Sequence, residues 1–77
     1  MSQRIHITTM REMLKRPDPV DLVVLTKSGR VMHLDNCVGL TFDLYKGTRR
    51  VRLLDSGQIR CIRDILVISI NGCEVMI

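Results

Sequence analysis

Turn signals built around a single glycine punctuate the chain at short intervals from Val20 onward, and this punctuation constrains the fold more than any other feature. Lys27-Ser28-Gly29-Arg30, Lys46-Gly47-Thr48, Asp55-Ser56-Gly57 and Asn71-Gly72 each interrupt a short run rich in β-branched and other apolar residues. Runs of that length suit strands better than helices, and glycine supplies the positive φ that a tight hairpin needs. The runs predict antiparallel strands over 21–26, 31–35, 40–45, 49–54, 58–62, 66–70 and 73–77. Asn-Gly is a strong two-residue hairpin signal, so 66–70 and 73–77 should pair.

Alternation assigns faces within these strands. Leu40, Phe42 and Leu44 should point inward while Thr41, Asp43 and Tyr45 point outward, and Val51 and Leu53 should oppose Arg50 and Arg52. Arg63-Asp64-Ile65 is too short for a crossover helix and reads as one helical turn. Strands of this kind joined by tight turns predict a mainly β fold, a small antiparallel meander barrel of the Src-homology-3-like or Sm-like kind.

The first 19 residues differ in character. Thr9-Met10-Arg11-Glu12 matches a capping box, and Met10, Met13 and Leu14 share one helical face, with Lys15 and Arg16 at the favourable end of the dipole. Pro17 and Pro19 then disfavour helix at the residues before them, which predicts a short N-terminal helix followed by a stiff extended connector. With 77 residues there is room for one core, so 1–77 should be a single domain, with 1–19 as helix and connector and 20–77 as the barrel. Phe42 and Tyr45 are the only aromatics, so Leu, Ile, Val and Met must build that core.

Targeting and membrane segments are not apparent. No apolar stretch follows Arg4, and apolar runs such as Leu22–Leu25 and Ile65–Ile68 stop at four residues, where a bilayer span needs roughly 20. A cytoplasmic location is expected. The odd count of three cysteines, Cys37, Cys61 and Cys73, fits free thiols buried as small hydrophobes in a reducing compartment.

The blocks Lys46-Gly47-Thr48-Arg49, Ser56-Gly57-Gln58-Ile59-Arg60 and Ile70-Asn71-Gly72-Cys73-Glu74-Val75 carry a resemblance. Over Lys46 to Val75 the chain resembles small uncharacterised proteins of bacterial genomes and mobile elements, a likeness that implies no activity. Ile59-Arg60-Cys61-Ile62-Arg63-Asp64-Ile65 invites comparison with the Sm-like pattern, but that pattern wants glycine after the arginine, where Cys61 stands. No binding residue is carried over from it.

Chemistry-bearing constellations are sparse. Zinc sites draw on paired knuckle ligands, and the nearest approach, His33 with Cys37, lacks that spacing, so neither metal nor cofactor is expected. His33 and Asp35 share a strand face and could orient a base, yet such a pair on an exposed strand is far more often solvated surface, and the glycines occur singly in turns without forming a phosphate loop. The expectation is that the chain is not an enzyme.

Charge is the feature that stands out. Residues 46–63 hold Lys46, Arg49, Arg50, Arg52, Arg60 and Arg63 against Asp55 alone, a local balance of +5, while the rest of the chain, six bases against seven acids, carries −1. Arginine suits bidentate contact with phosphate, although a basic strand face also serves simply to keep a sheet soluble. The sequence therefore points to a non-catalytic small-barrel module for binding or assembly. Its partner would be an unknown protein, or a second copy joined through the C-terminal strand as a sheet edge. The apolar run 73–77 should be tied down either by pairing with Arg4–Ile7 within the chain or by pairing with a neighbour's edge. The alternative is nucleic acid held by this Arg-rich hairpin, with Arg50, Arg52 and Arg60 converging on one face and Lys46, Arg49 and Arg63 flanking it.

Overall fold

In the computed structural model, which describes residues 3–77, a short strand β1 (Arg4–His6) runs directly into the helix α1 (Ile7–Lys15). The helix starts earlier than its sequence signal. His6 holds the N-cap in an extended conformation, and its Nδ1 accepts from the Thr8 amide at 3.2 Å, so Thr9 lies inside the helix and caps nothing. Glu12, freed from any capping box, pairs with Lys15 at 3.1 Å. Ile7, Met10 and Leu14 form the buried stripe of α1, with Met13 half-buried beside it. Arg16 ends the helix in the extended conformation that Pro17 demands.

The strands are β2 (Val20–Leu25), β3 (Val31–Asp43), β4 (Thr48–Leu53), β5 (Ile59–Arg63), β6 (Val67–Ile70) and β7 (Cys73–Met76), with a 3-10 turn at Asp64–Leu66 where one helical turn is expected. They make one seven-stranded sheet in the order β1-β7-β6-β2-β3-β4-β5. The fold is mainly β with one short helix, as the sequence indicates. It departs from an all-antiparallel meander in that β1 and β7 run parallel, and β1 and β5 remain as edges, so the sheet does not close.

One long strand replaces two short ones. The expected strands 31–35 and 40–45 are continuous in β3, which passes through two irregularities instead of a turn. At the first, Asn36 takes a φ of 53° without reversing the chain, its amide held by the Asp21 carboxylate at 2.8 Å. At the second the register slips between Gly39 and Thr41. Such bulges bend a strand and increase its twist. By bending, β3 pairs first with β2 and then with β4.

Val20, Leu22, Val24, Leu34, Cys37, Val51, Ile62, Val67 and Ile70 line the inner face and meet the buried stripe of α1. Gly39 lets the helix approach, since a Cβ there would collide with the Leu14 carbonyl oxygen. The inward reading of Leu40 and Leu44 is corrected, since both are exposed, Leu44 at 82%, where this end of β3 projects past the apolar core. Phe42 keeps the inner-face register opposite buried Arg49, but it lies at the rim, 37% exposed, against guanidinium groups instead of apolar side chains.

The C-terminal strand is not an edge. β7 lies between β6 and β1, registered Ile5 with Val75, so of the two pairings open to the C-terminal strand it takes the one with the N-terminal segment, which covers the edge that self-association would use. Asn71 and Gly72, at φ 50° and 81°, form the expected two-residue hairpin between Ile70 and Cys73. Among the described residues no helix is long and apolar enough to cross a membrane.

Candidate nucleic-acid interface

The register of β3, β4 and β5 decides which cations can act together. Directly paired residues of antiparallel strands share a face. Arg50 is paired with Thr41 on one side and Cys61 on the other, Arg52 with Val38 and Ile59, and Thr48 with Asp43 and Arg63. Arg50, Arg52 and Arg63 therefore project from one outer face, and all three are exposed. Steps along and across a sheet put neighbouring positions of this kind about 7 Å apart, close enough for flexible guanidinium groups to follow one backbone.

Two of the expected members are elsewhere. Arg60 is registered opposite Val51 and so leans toward the inner face, where it donates to Gln58 Oε1 at 2.8 Å. Arg49, registered opposite Phe42 and Ile62, is buried. Its Nε and Nη2 donate to the two oxygens of Asp64 at 2.9 and 3.1 Å, and Arg11 Nε donates to Asp64 Oδ2 at 3.0 Å. The Phe42 ring lies against both guanidinium groups, 4.9 Å from that of Arg49 and 5.9 Å from that of Arg11. Arg49 thus ties β4 to α1 and the 3-10 turn and cannot present its charge to the outer face.

Lys46 remains with the exposed set. It sits in the β3–β4 turn, where Asp43 Oδ1 accepts from the backbone amides of Tyr45 and Lys46 at 3.0 and 3.3 Å. Asp43, registered opposite Thr48 on this face, is therefore engaged in shaping the turn. The ion pairs among the described residues join Arg4 to Glu74, Lys15 to Glu12, and Arg11 and Arg49 to Asp64. Arg50, Arg52, Arg63 and Lys46 take part in none of them. The Tyr45 side chain, at the tip of the hairpin, is fully exposed. Lys27, in the β2–β3 turn, lines a depression with Arg63, Ile65 and Leu66 and extends the basic surface, although it lies outside the basic run of the sequence.

The cysteines divide by position. Cys37 is wholly buried, its thiol pointing at the Val20 and Leu34 carbonyls at 3.4 and 3.5 Å, and burial, together with the negative charges of Asp21 and Asp35, pushes it from 9.0 to about 11. Cys61 is exposed on the arginine face and Cys73 is half-buried, which corrects the expectation that all three are interior. His33 is exposed on β3 and registered opposite Val23, while Cys37 lies on the inner face, so the two are not brought together. Among the described residues no group of three or more His, Cys, Asp or Glu is placed to hold a metal ion.

No protein family, curated protein or solved structure matches this chain.

Proposed function

We propose that this chain is a non-catalytic binding module that holds a single-stranded nucleic acid on the outer face of β3, β4 and β5. The observation that carries the reading is the set of Arg50, Arg52, Arg63 and Lys46, exposed on one side of the sheet with no carboxylate partner among the described residues. Guanidinium groups donate in a planar fork that matches phosphate, and a row of them follows a backbone without reading its sequence. Exposed Tyr45 adds a π-face that only an unpaired base can use. The strand order supports a finer fold assignment within the same proposal. β2 lies between β3 and β6, and the chain returns from β5 to β6 through a 3-10 turn, a connectivity that fits an open Src-homology-3-like or Sm-like small barrel.

A titration of labelled single-stranded DNA and RNA of mixed sequence, at two salt concentrations, tests this. Binding should show little sequence preference and weaken with salt. Replacing Arg50, Arg52 and Arg63 by Ser should lower the salt slope by roughly 0.7 for each phosphate that is no longer neutralised. Absence of binding at low salt, or an unchanged slope in the triple variant, rejects the reading.

One observation favours a protein partner instead. Leu44 and Tyr45 project from the β3–β4 hairpin with no apolar cover, and β5 offers an unpaired edge with Ile59 exposed on it. On this reading the module acts in assembly, and the same arginines keep its sheet soluble.

A further inference from the structure

We propose that the groove between α1 and the β3–β4 hairpin is a second phosphate site, which receives the strand as it leaves the outer arginine face. The proposal rests on the nucleic-acid reading above and adds to it where the strand goes next. The groove has Arg11 and Lys15 on its helical wall, Leu40 and Phe42 on its strand wall, and Arg49 at its base.

The donors are already in place. Arg49 is buried and gives Nε and Nη2 to Asp64, while its Nη1 has no partner among the described residues. No buried side-chain nitrogen among the described residues lacks a partner, so that Nη1 keeps contact with solvent, and Arg49 is one of the residues that line the groove. Arg11 gives Asp64 its Nε alone, which leaves both terminal nitrogens free on a side chain that is 38% exposed. Two guanidinium groups thus share one carboxylate, and a positive charge is left over. Lys15 does not add to it, because Glu12 pairs with it.

Asp64 and the Phe42 ring fix the planes of both guanidinium groups, so an incoming anion meets donors that lose little freedom on binding. The groove is also continuous with the outer face. Thr41 and Phe42 line it and also line the depression that contains Lys46 and Arg50. A strand crossing the hairpin at Phe42 therefore passes from one set of cations to the other.

The test is fluorescence anisotropy with labelled oligothymidylates of about 5 and about 15 nucleotides, lengths that bracket the reach of one small domain. Wild-type protein should bind the longer oligonucleotide more tightly. Arg11→Gln should weaken the longer one about tenfold, the scale of one charge-assisted hydrogen bond. It should also lower its salt slope by about 0.7 and leave the short one unchanged. Leu40→Glu, at a position 45% exposed and hence tolerant, should act in the same way and decides the matter if Arg11→Gln fails to fold. Wild-type affinity and slope in both variants, with binding lost on replacing Arg50, Arg52 and Arg63, would overturn the groove and leave the outer face standing. Failure of wild-type protein to bind either oligonucleotide at low salt would overturn both. Tighter binding of polyglutamate than of oligothymidylate, abolished by Arg11→Gln, would reassign the groove to an acidic protein segment and overturn its role for nucleic acid.

Discussion

Asp64 accepts from Arg49 twice and from Arg11 once while almost wholly out of water, so removing its charge strands a buried guanidinium. Breaking one partner of a buried pair costs about 3 to 5 kcal/mol, much of what a small domain has to spare. Asp64→Asn should accordingly lower the urea midpoint sharply, whereas Arg50→Ser, at an exposed position, should move it little. The trio was hidden in the sequence because Arg49 belongs to a basic run, Asp64 stands just past the far end of that run, and Arg11 lies 53 residues before Asp64. One clue was present. Alternation that turns Val51 and Leu53 inward also turns Arg49 inward, and an inward arginine requires a buried acid. Cys37 makes a second test. Its thiol is raised from 9.0 to about 11 in the folded chain, so the folded state keeps its proton where the unfolded state has lost it. The stability this contributes is complete below pH 9.0 and falls as pH rises toward about 11. Cys37→Val should lose that part of the alkaline decline in urea midpoint, and a thiol reagent at neutral pH should label exposed Cys61 well before Cys37.

β7 is held on both sides, antiparallel to β6 and parallel to β1, and through β1 it anchors the start of α1. Deleting Cys73–Ile77 should therefore unfold the protein or aggregate it, because β1 loses its only strand partner among the described residues and Val75 leaves the core it packs against. Removing Ile77 alone should change the melting temperature little, since that side chain is 81% exposed and surface changes usually stay within about 0.5 kcal/mol. The terminal hairpin was legible because Asn71-Gly72 encodes it locally, and Gly29, Gly47 and Gly57 mark the other turns equally well. β3 was not. A bulge leaves no reliable local mark, and the residues around Asn36 and Gly39 read as a break although the chain stays extended through them. Leu40 sits in the slip between Gly39 and Thr41, and Leu44 lies beyond the end of β3, so alternation alone buries neither.

Tertiary pairing, which no short stretch of sequence encodes, arranges these elements and so determines where the charge ends up. The concentration of basic residues in 46–63 was visible from the start, but the sheet register removes Arg49 and turns Arg60 away, while the β2–β3 turn brings Lys27 toward Arg63. A surface built in this way predicts that position matters more than total charge. Replacing Arg50, Arg52 and Arg63 by Ser takes the net charge from +4 to +1. Replacing Arg4 by Ser and Arg16 by Glu reaches the same net charge from exposed positions outside that face. Long-range attraction is screened beyond a Debye length of about 8 Å at physiological ionic strength, so distant cations contribute little once salt is present. In anisotropy titrations at that ionic strength the first variant should lose most of its affinity for single-stranded nucleic acid, and the second should keep it, differing from wild type mainly at low salt. Equal losses in the two variants would mean that net charge alone governs association, and the outer face would then have no special role.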